Sequence, residues 1–289
     1  MFANQQRPEY RIAPAILAVL TCLVASCADP VHKGERFAGV AGLERDTVMG
    51  TVFRHVVFRN TVSSGDSLHF YIEGDGSPYI DGRRPAADPT PRNPLMLRLM
   101  ALDRSSSVYI GRPCYWGLAA DAGCDPVYWT VGRFNASIVE SCSAVIRAEL
   151  ARSHARRWSL YAHSGGAAIA ILIAQHLGTA ERIVTIGANL DINAWTALHG
   201  YAQLGASEDP ATRFGSPLAI PTTHYVGTHD LNTPPVLVRA AARRVGGEVV
   251  VVDGYTHNCC WERIWPDILT TPSGQTYRSN RHDIPDNPK

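Results

Sequence analysis

Charge is scarce in this 289-residue chain: Asp, Glu, Lys and Arg make up 18% of it, and the formal net charge is +1. That balance offers no basic face to a polyanion, so nucleic acid is excluded as a partner. Metal-ligand spacings are also missing. Neither C-x-x-C nor H-x-x-x-H occurs, and no metal or other cofactor is expected. There is no internal repeat. The apolar run from Ile12 to Ala25, broken by Pro14, Thr21 and Cys22, is too short for a comfortable membrane span.

That run follows Arg7 and Arg11, the layout of a secretory signal over residues 1–26. Its end, Leu23-Val24-Ala25-Ser26-Cys27, resembles the lipobox of bacterial lipoproteins. The resemblance implies cleavage before Cys27 and lipidation of its thiol. Because Ala28 lacks the aspartate that retains lipoproteins at the inner membrane, it also implies an outer-membrane anchor facing the periplasm or the cell surface. Export puts the later cysteines in an oxidising compartment. Cys114 and Cys124 bracket a short loop rich in Gly, Ala and Asp and form a candidate disulfide; Cys142 has Cys259 or Cys260 as possible partners.

Residues 27–46 are polar and mixed, the composition of a flexible tether, and from Pro266 the chain reads as a polar tail. Between them, over 47–265, strand and helix patterns alternate. Strands are expected as one or a pair within Val48 to Asn60, then at Leu68–Ile72, Ser107–Gly111, Trp158–Tyr161, Arg182–Ile186, Pro221–Val226 and Glu248–Val252, the last one buried. Helices are expected at Leu95–Leu102, Asn135–His154, after Gly166, and at Val236–Val245. Such alternation implies an α/β fold: a mostly parallel twisted sheet with helices on both faces and sites at the carboxyl ends of strands. Residues 188–221, with Trp195, His199 and Tyr201, interrupt the alternation and are expected to form a short lid.

The central stretch is Trp158 to Ala174, where a strand pattern turns at Ala162-His-Ser-Gly-Gly166 into an apolar helix pattern ending at Gly178. This is G-x-S-x-G with alanine in the first place, a nucleophile elbow with Ser164 at its tip. A serine hydroxyl needs a base, and the base needs a carboxylate to fix its tautomer. Asp230, in Gly227-Thr-His-Asp230, follows one strand; His257, in Gly254-Tyr-Thr-His257, follows the last. Asp191 is a competing acid. His163 is expected to point away from the site, and His199 and His229 lie in loops without a strand end before them.

The order Ser, Asp, His after successive strands resembles the α/β-hydrolase superfamily, from about Val48 to Trp265. Within it, the Ile72-Glu-Gly-Asp-Gly76 turn and Arg112-Pro-Cys114 are similar to bacterial lipoprotein-type serine hydrolases. The resemblance implies an oxyanion hole from the backbone N–H groups of Asp75 and Gly165, with Glu73 standing where relatives often carry histidine. It also implies hydrolysis of an ester-type acyl bond through an acyl-enzyme, in a small-molecule or lipid substrate. Carboxylesterase or lipase activity is preferred; a peptidase or thioesterase would use the same triad, and a non-catalytic binding lipoprotein on this scaffold is the alternative from another class.

Overall fold

In the computed structural model, residues 29–62, 65–213, 215–272 and 274–277 are described. Cys27 and the signal lie outside them.

Eight strands build one sheet: β1 (Glu44–Met49), β2 (Arg54–Arg59), β3 (Ser67–Ile72), β6 (Ser107–Ile110), β7 (Arg157–His163), β8 (Arg182–Ile186), β9 (Thr222–Gly227) and β10 (Glu248–Val252). Their order is β1-β2-β6-β3-β7-β8-β9-β10. β1 and β2 run antiparallel, as do β2 and β6, and every pairing from β6 through β10 is parallel. A separate two-stranded hairpin joins β4 (Tyr79–Ile80) to β5 (Arg84–Pro85). The Val48–Asn60 segment is thus a strand pair divided at Gly50–Phe53.

β6 is buried at all four positions, and β7 at every position from Trp158 to His163. Consecutive buried residues point to alternate faces, so both faces of the sheet centre are covered. The covering helices are α2 (Leu95–Met100), α3 (Ala136–Ser153), α4 (Gly165–Leu177) and α7 (Pro235–Val245), while α5 (Ile192–His199) and a short α6 (Pro210–Arg213) lie in the connection between β8 and β9. Asn135 caps α3 by accepting from Ser137 N, and His154 ends it in the left-handed region. β10, at the sheet's edge, is only half-buried except at Val252, which corrects the expectation of a buried strand. An edge strand has a neighbour on one side only, and its valines retain partial contact with water.

Two terminal segments differ from the sequence reading. Where a tether was expected, α1 (Pro30–Val40) forms, started by Asp29 accepting from Val31 N and by proline in its first turn. It is tied to the domain by buried Ala38 and Leu43 and by the Arg45–Glu35 ion pair at 2.7 Å. At the other end, residues 265–270 are a helix, α8, with Trp265 and Ile268 buried. Trp265 packs edge-on against Tyr71 and Tyr161, so the tail begins beyond this helix.

Cys114 and Cys124 are bridged, Cys259 pairs with its neighbour Cys260, and Cys142 is a buried free thiol. Burial pushes that thiol up to about 12, which leaves it inert. Among the described residues no helix is long and apolar enough to cross a membrane.

Candidate active site

β7 delivers Ser164 at its carboxyl end. The serine sits at φ 52°, ψ −124°, between the last residue of β7 and the first of α4. A non-glycine residue there is strained by about 1–3 kcal/mol and persists because its surroundings over-determine it. Two backbone bonds do so: Ser164 N donates to Ile186 O at 2.9 Å, and Asn189 N donates to Ser164 O at 3.1 Å. The two glycines that follow are dictated by contact. A Cβ on Gly166 would lie 2.4 Å from Glu73 O, and one on Gly165 would lie 2.0 Å from Asp75 Oδ1.

Asp230 and His257 meet at the ends of β9 and β10. His257 Nδ1 lies 2.8 Å from Asp230 Oδ2. The carboxylate is fully buried and also accepts from the backbone N–H groups of Asn232 (2.9 Å) and Thr233 (2.8 Å) and from the Thr233 hydroxyl (3.1 Å). Burial opposes its ionisation, but the His257 hydrogen bond and charge and the Thr233 donors outweigh that and hold the carboxyl below its ordinary value. Burial dominates at His257 and lowers its pKa, with the Asp230 hydrogen bond pulling the other way. With Nδ1–H given to Asp230, the other nitrogen is an acceptor; it receives Asn232 Nδ2 at 3.0 Å. Among the described residues no hydrogen bond joins Ser164 to His257, although both line one cavity.

The turn after β3 forms the floor of that cavity and is pinned residue by residue. Glu73 is buried; its carboxylate accepts from Met96 N at the start of α2 (2.9 Å) and from Gly74 N (3.2 Å). Asp75 binds two guanidiniums, Arg112 at 2.6 Å and Arg133 at 2.8 Å, whose side chains are 1% and 6% exposed. Burial would raise its carboxyl, yet the two arginines hold it below its usual range. Tyr115 Oη donates to Asp75 O at 2.9 Å. The N–H of Asp75 has no acceptor among the described residues, and the N–H of Gly165 opens α4, where no intrahelical acceptor exists.

His163 does not point away. Its Nε2 donates to the carbonyl of His257 at 3.0 Å, its Nδ1 lies 3.6 Å from Glu73 Oε1, and the two histidine rings are 4.6 Å apart. As the last residue of β7 it is aimed across the end of the sheet, and the elbow carries only Ser164 out of line. Asp191 is engaged elsewhere, capping α5 through Ala194 N and pairing with Arg244. His199 ends α5 rather than lying in a loop, and its Nε2 donates to Asn232 O at 2.8 Å. Among the described residues no group of three or more His, Cys, Asp or Glu side chains is placed to hold a metal ion.

The strand order, the parallel run from β6 to β10, and a strained serine between β7 and its helix together decide the architecture. It is the α/β-hydrolase fold. Solved structures agree. The chain superposes on a membrane phospholipase A described as a bacterial virulence factor with TM-score 0.52 and 16% identity, covering 87% of this chain and 94% of that one. It superposes on an esterase/lipase from an uncultured bacterium with TM-score 0.50 and 14% identity, over 81% and 80%. A third, a proline iminopeptidase-related protein from Thermus thermophilus, gives TM-score 0.50 and 15% identity over 76% and 92%. No family model and no curated relative matches the sequence. At these identities the α/β-hydrolase fold is what the neighbours share with this chain.

Proposed function

We propose that the protein is a serine hydrolase that cleaves an ester-type acyl bond, with Ser164 as nucleophile, His257 as general base and Asp230 as the acid that fixes the base. The observation carrying this reading is the 2.8 Å contact between His257 and Asp230, made in a cavity also lined by a serine in the elbow conformation.

In the first step the neutral Nε2 of His257 takes the Ser164 proton as the oxygen attacks the carbonyl carbon. That requires the Asn232 amide to turn off Nε2, so substrate entry completes the Ser164–His257 link. Negative charge gathers on the carbonyl oxygen, which the N–H groups of Asp75 and Gly165 receive. Each such donor is worth about 2.7–4 kcal/mol in the transition state. A bare carboxylate beside that oxyanion would repel it, and Arg112 and Arg133 offset the Asp75 charge. His257 then protonates the leaving group, water attacks the acyl-enzyme, and the same donors hold the second oxyanion.

A carboxylesterase or lipase is the preferred class. The cavity of about 950 Å3 is large for a short acyl chain, and two of the structural neighbours are named as a phospholipase and an esterase/lipase. A third is named for its relation to a peptidase, and a Ser-His-Asp triad serves either bond. Residues 188–221 supply Trp195, Tyr201 and Leu204 to the cavity, the place a lid occupies. We also propose that the mature protein is exported and anchored by a lipid on Cys27, the reading of its amino-terminal sequence; globomycin is expected to mislocalise it as an uncleaved precursor, and Cys27→Ser to release or mislocalise it.

The hydrolase test is labelling with a fluorophosphonate probe, which reacts only with an activated serine. Wild type is expected to label and Ser164→Ala not to. Equal, weak labelling of both refutes catalysis and favours the second reading, a binding protein on a hydrolase scaffold, which the Asn232 contact on Nε2 would then describe as a resting state never left.

A further inference from the structure

The cavity in front of Ser164 is unequal in charge. Arg83, Arg92 and Arg133 line it, against Glu73 and Asp75. With Arg112 directly behind Asp75, four guanidiniums face two carboxylates, a local net charge of +2 with histidines neutral, more than the +1 of the entire chain. Arg112 and Arg133 are consumed by Asp75. Arg83 and Arg92 are not: among the described residues neither side chain meets a carboxylate or any other acceptor. The contrast with Arg84 is informative. One residue along the same hairpin, it is held by Asp81 at 3.0 Å and stays out of the cavity lining.

Arg83 and Arg92 come from two segments folded onto each other. The β4–β5 hairpin carries the first, and the loop leading to α2 carries the second. Ser77 N donates to Pro89 O and Ala86 N to Pro78 O, both at 2.9 Å, closing residues 77–89 into one unit. The apolar and aromatic part of the lining includes Val131, Trp195, Tyr201 and Leu204. Two solvent-exposed, unpaired cations lining a cavity that also holds a nucleophile make a recognition element, because a planar guanidinium binds a carboxylate or phosphate with two hydrogen bonds at once.

We propose that Arg83 and Arg92 form an anion subsite, and that the ester cleaved at Ser164 carries a carboxylate or phosphate group within reach of it. The proposal rests on the hydrolase reading above. Such a substrate places its charged end on the arginines, its apolar portion against Trp195, Tyr201 and Leu204, and its carbonyl at Ser164.

The test compares 4-nitrophenyl pentanoate, which is neutral, with 4-nitrophenyl hemiglutarate and 4-nitrophenyl 4-phosphonobutyrate, and compares 4-(pentanoyloxy)benzoate with its methyl ester. These arms separate carboxylate from phosphonate, and charge on the acyl side from charge on the leaving group. At least one anionic ester is expected to exceed its neutral counterpart in kcat/KM by about tenfold, equivalent to about 1.4 kcal/mol. The Arg83→Ala/Arg92→Ala protein is expected to lose that preference while its rate on the neutral esters stays within about twofold, and Arg84→Ala to keep it. A preference for the neutral ester in every pair, or one unmoved by the double substitution, overturns the proposal. Failure of the hydrolase reading shows separately, as absent labelling of Ser164 and no turnover of the neutral esters. In that event calorimetric binding of benzylphosphonate still tests the arginines: a Kd weakened about tenfold in the double variant supports the subsite, and an unchanged Kd refutes it.

Discussion

Asp75→Ala tests how the oxyanion turn is held. The substitution strips the carboxylate from two guanidiniums whose side chains are 1% and 6% exposed, and among the described residues their only other hydrogen-bond acceptors are the backbone carbonyls of Arg133 and Thr130. Breaking a buried ion pair by removing one partner costs about 3–5 kcal/mol, since the orphaned charge stays desolvated. Asp75 itself is 16% exposed, which lets water reach the vacated space and favours the lower half of that range. For a domain of this size each kcal/mol moves Tm by about 2–4 °C, so a fall of roughly 6–15 °C is expected by thermal unfolding followed by circular dichroism. Activity measured well below that Tm is expected to fall as well, because the N–H of Asp75 is the proposed oxyanion donor and the side chain fixes its direction. The effect has a pH signature. Asp75 is held below the ordinary carboxylate value, so its contribution is complete above about pH 4 and is lost as pH falls through the lowered value. A Tm within 2 °C of wild type at pH 7 would refute the claim that this carboxylate holds the turn.

His55 and His224 are buried neutral rings, each lowered to about 4 by desolvation. The unfolded chain therefore binds more protons between pH 6.5 and 4, and stability should fall by about 2 kcal/mol per ring from pH 7 to 5, read as urea unfolding free energies; a flat profile contradicts their neutrality. Activity should rise with pH as His257 loses its proton, with a midpoint below the unperturbed value of about 6.5 because burial lowers it; a midpoint above that value argues against His257 as the base. Gly187→Ala places a methyl 2.8 Å from His257 Nδ1 and 2.9 Å from Asp230 Oδ2, at φ 51°. A loss of about 100-fold in kcat with the fold retained is expected, and unchanged kinetics would show that the His257–Asp230 contact tolerates displacement.

What could be read from the sequence was local in the chain. The elbow is a run of neighbours, strand then serine then apolar helix, and its pattern survives without tertiary information. The meeting of Asp230 and His257 is legible from their places just past strand ends, since a parallel sheet gathers those ends on one edge. The partners of Asp75 were not found as partners. Arg112 and Arg133 lie 37 and 58 positions away, and no local rule ties an arginine to a carboxylate across such distances. The motif Arg112-Pro-Cys114 carries no local sign of the pairing of Arg112 with Asp75. α1 escaped because its buried positions, Gly34 and Ala38, are small residues that carry almost no hydropathy signal. His163 departs from the expectation for a different reason: the elbow reverses direction only at Ser164, so the residue before it still follows the strand.

The departures from the usual motif then explain one another. Glu73 holds the turn through its carboxylate, which accepts from Gly74 and Met96. The carbonyl of Glu73 presses on Gly166 and the carboxylate of Asp75 presses on Gly165. The first two residues of α4 must therefore lack side chains for the turn to sit there at all. In the proposed oxyanion hole the turn sits there so that its N–H acts together with that of Gly165. Elbow and oxyanion turn thus specify each other's sequence, and the charge that this packing brings against the reaction centre is the one that Arg112 and Arg133 neutralise. A chain that kept the elbow glycines and lost either arginine would retain the shape of the site and place an uncompensated carboxylate where negative charge has to develop.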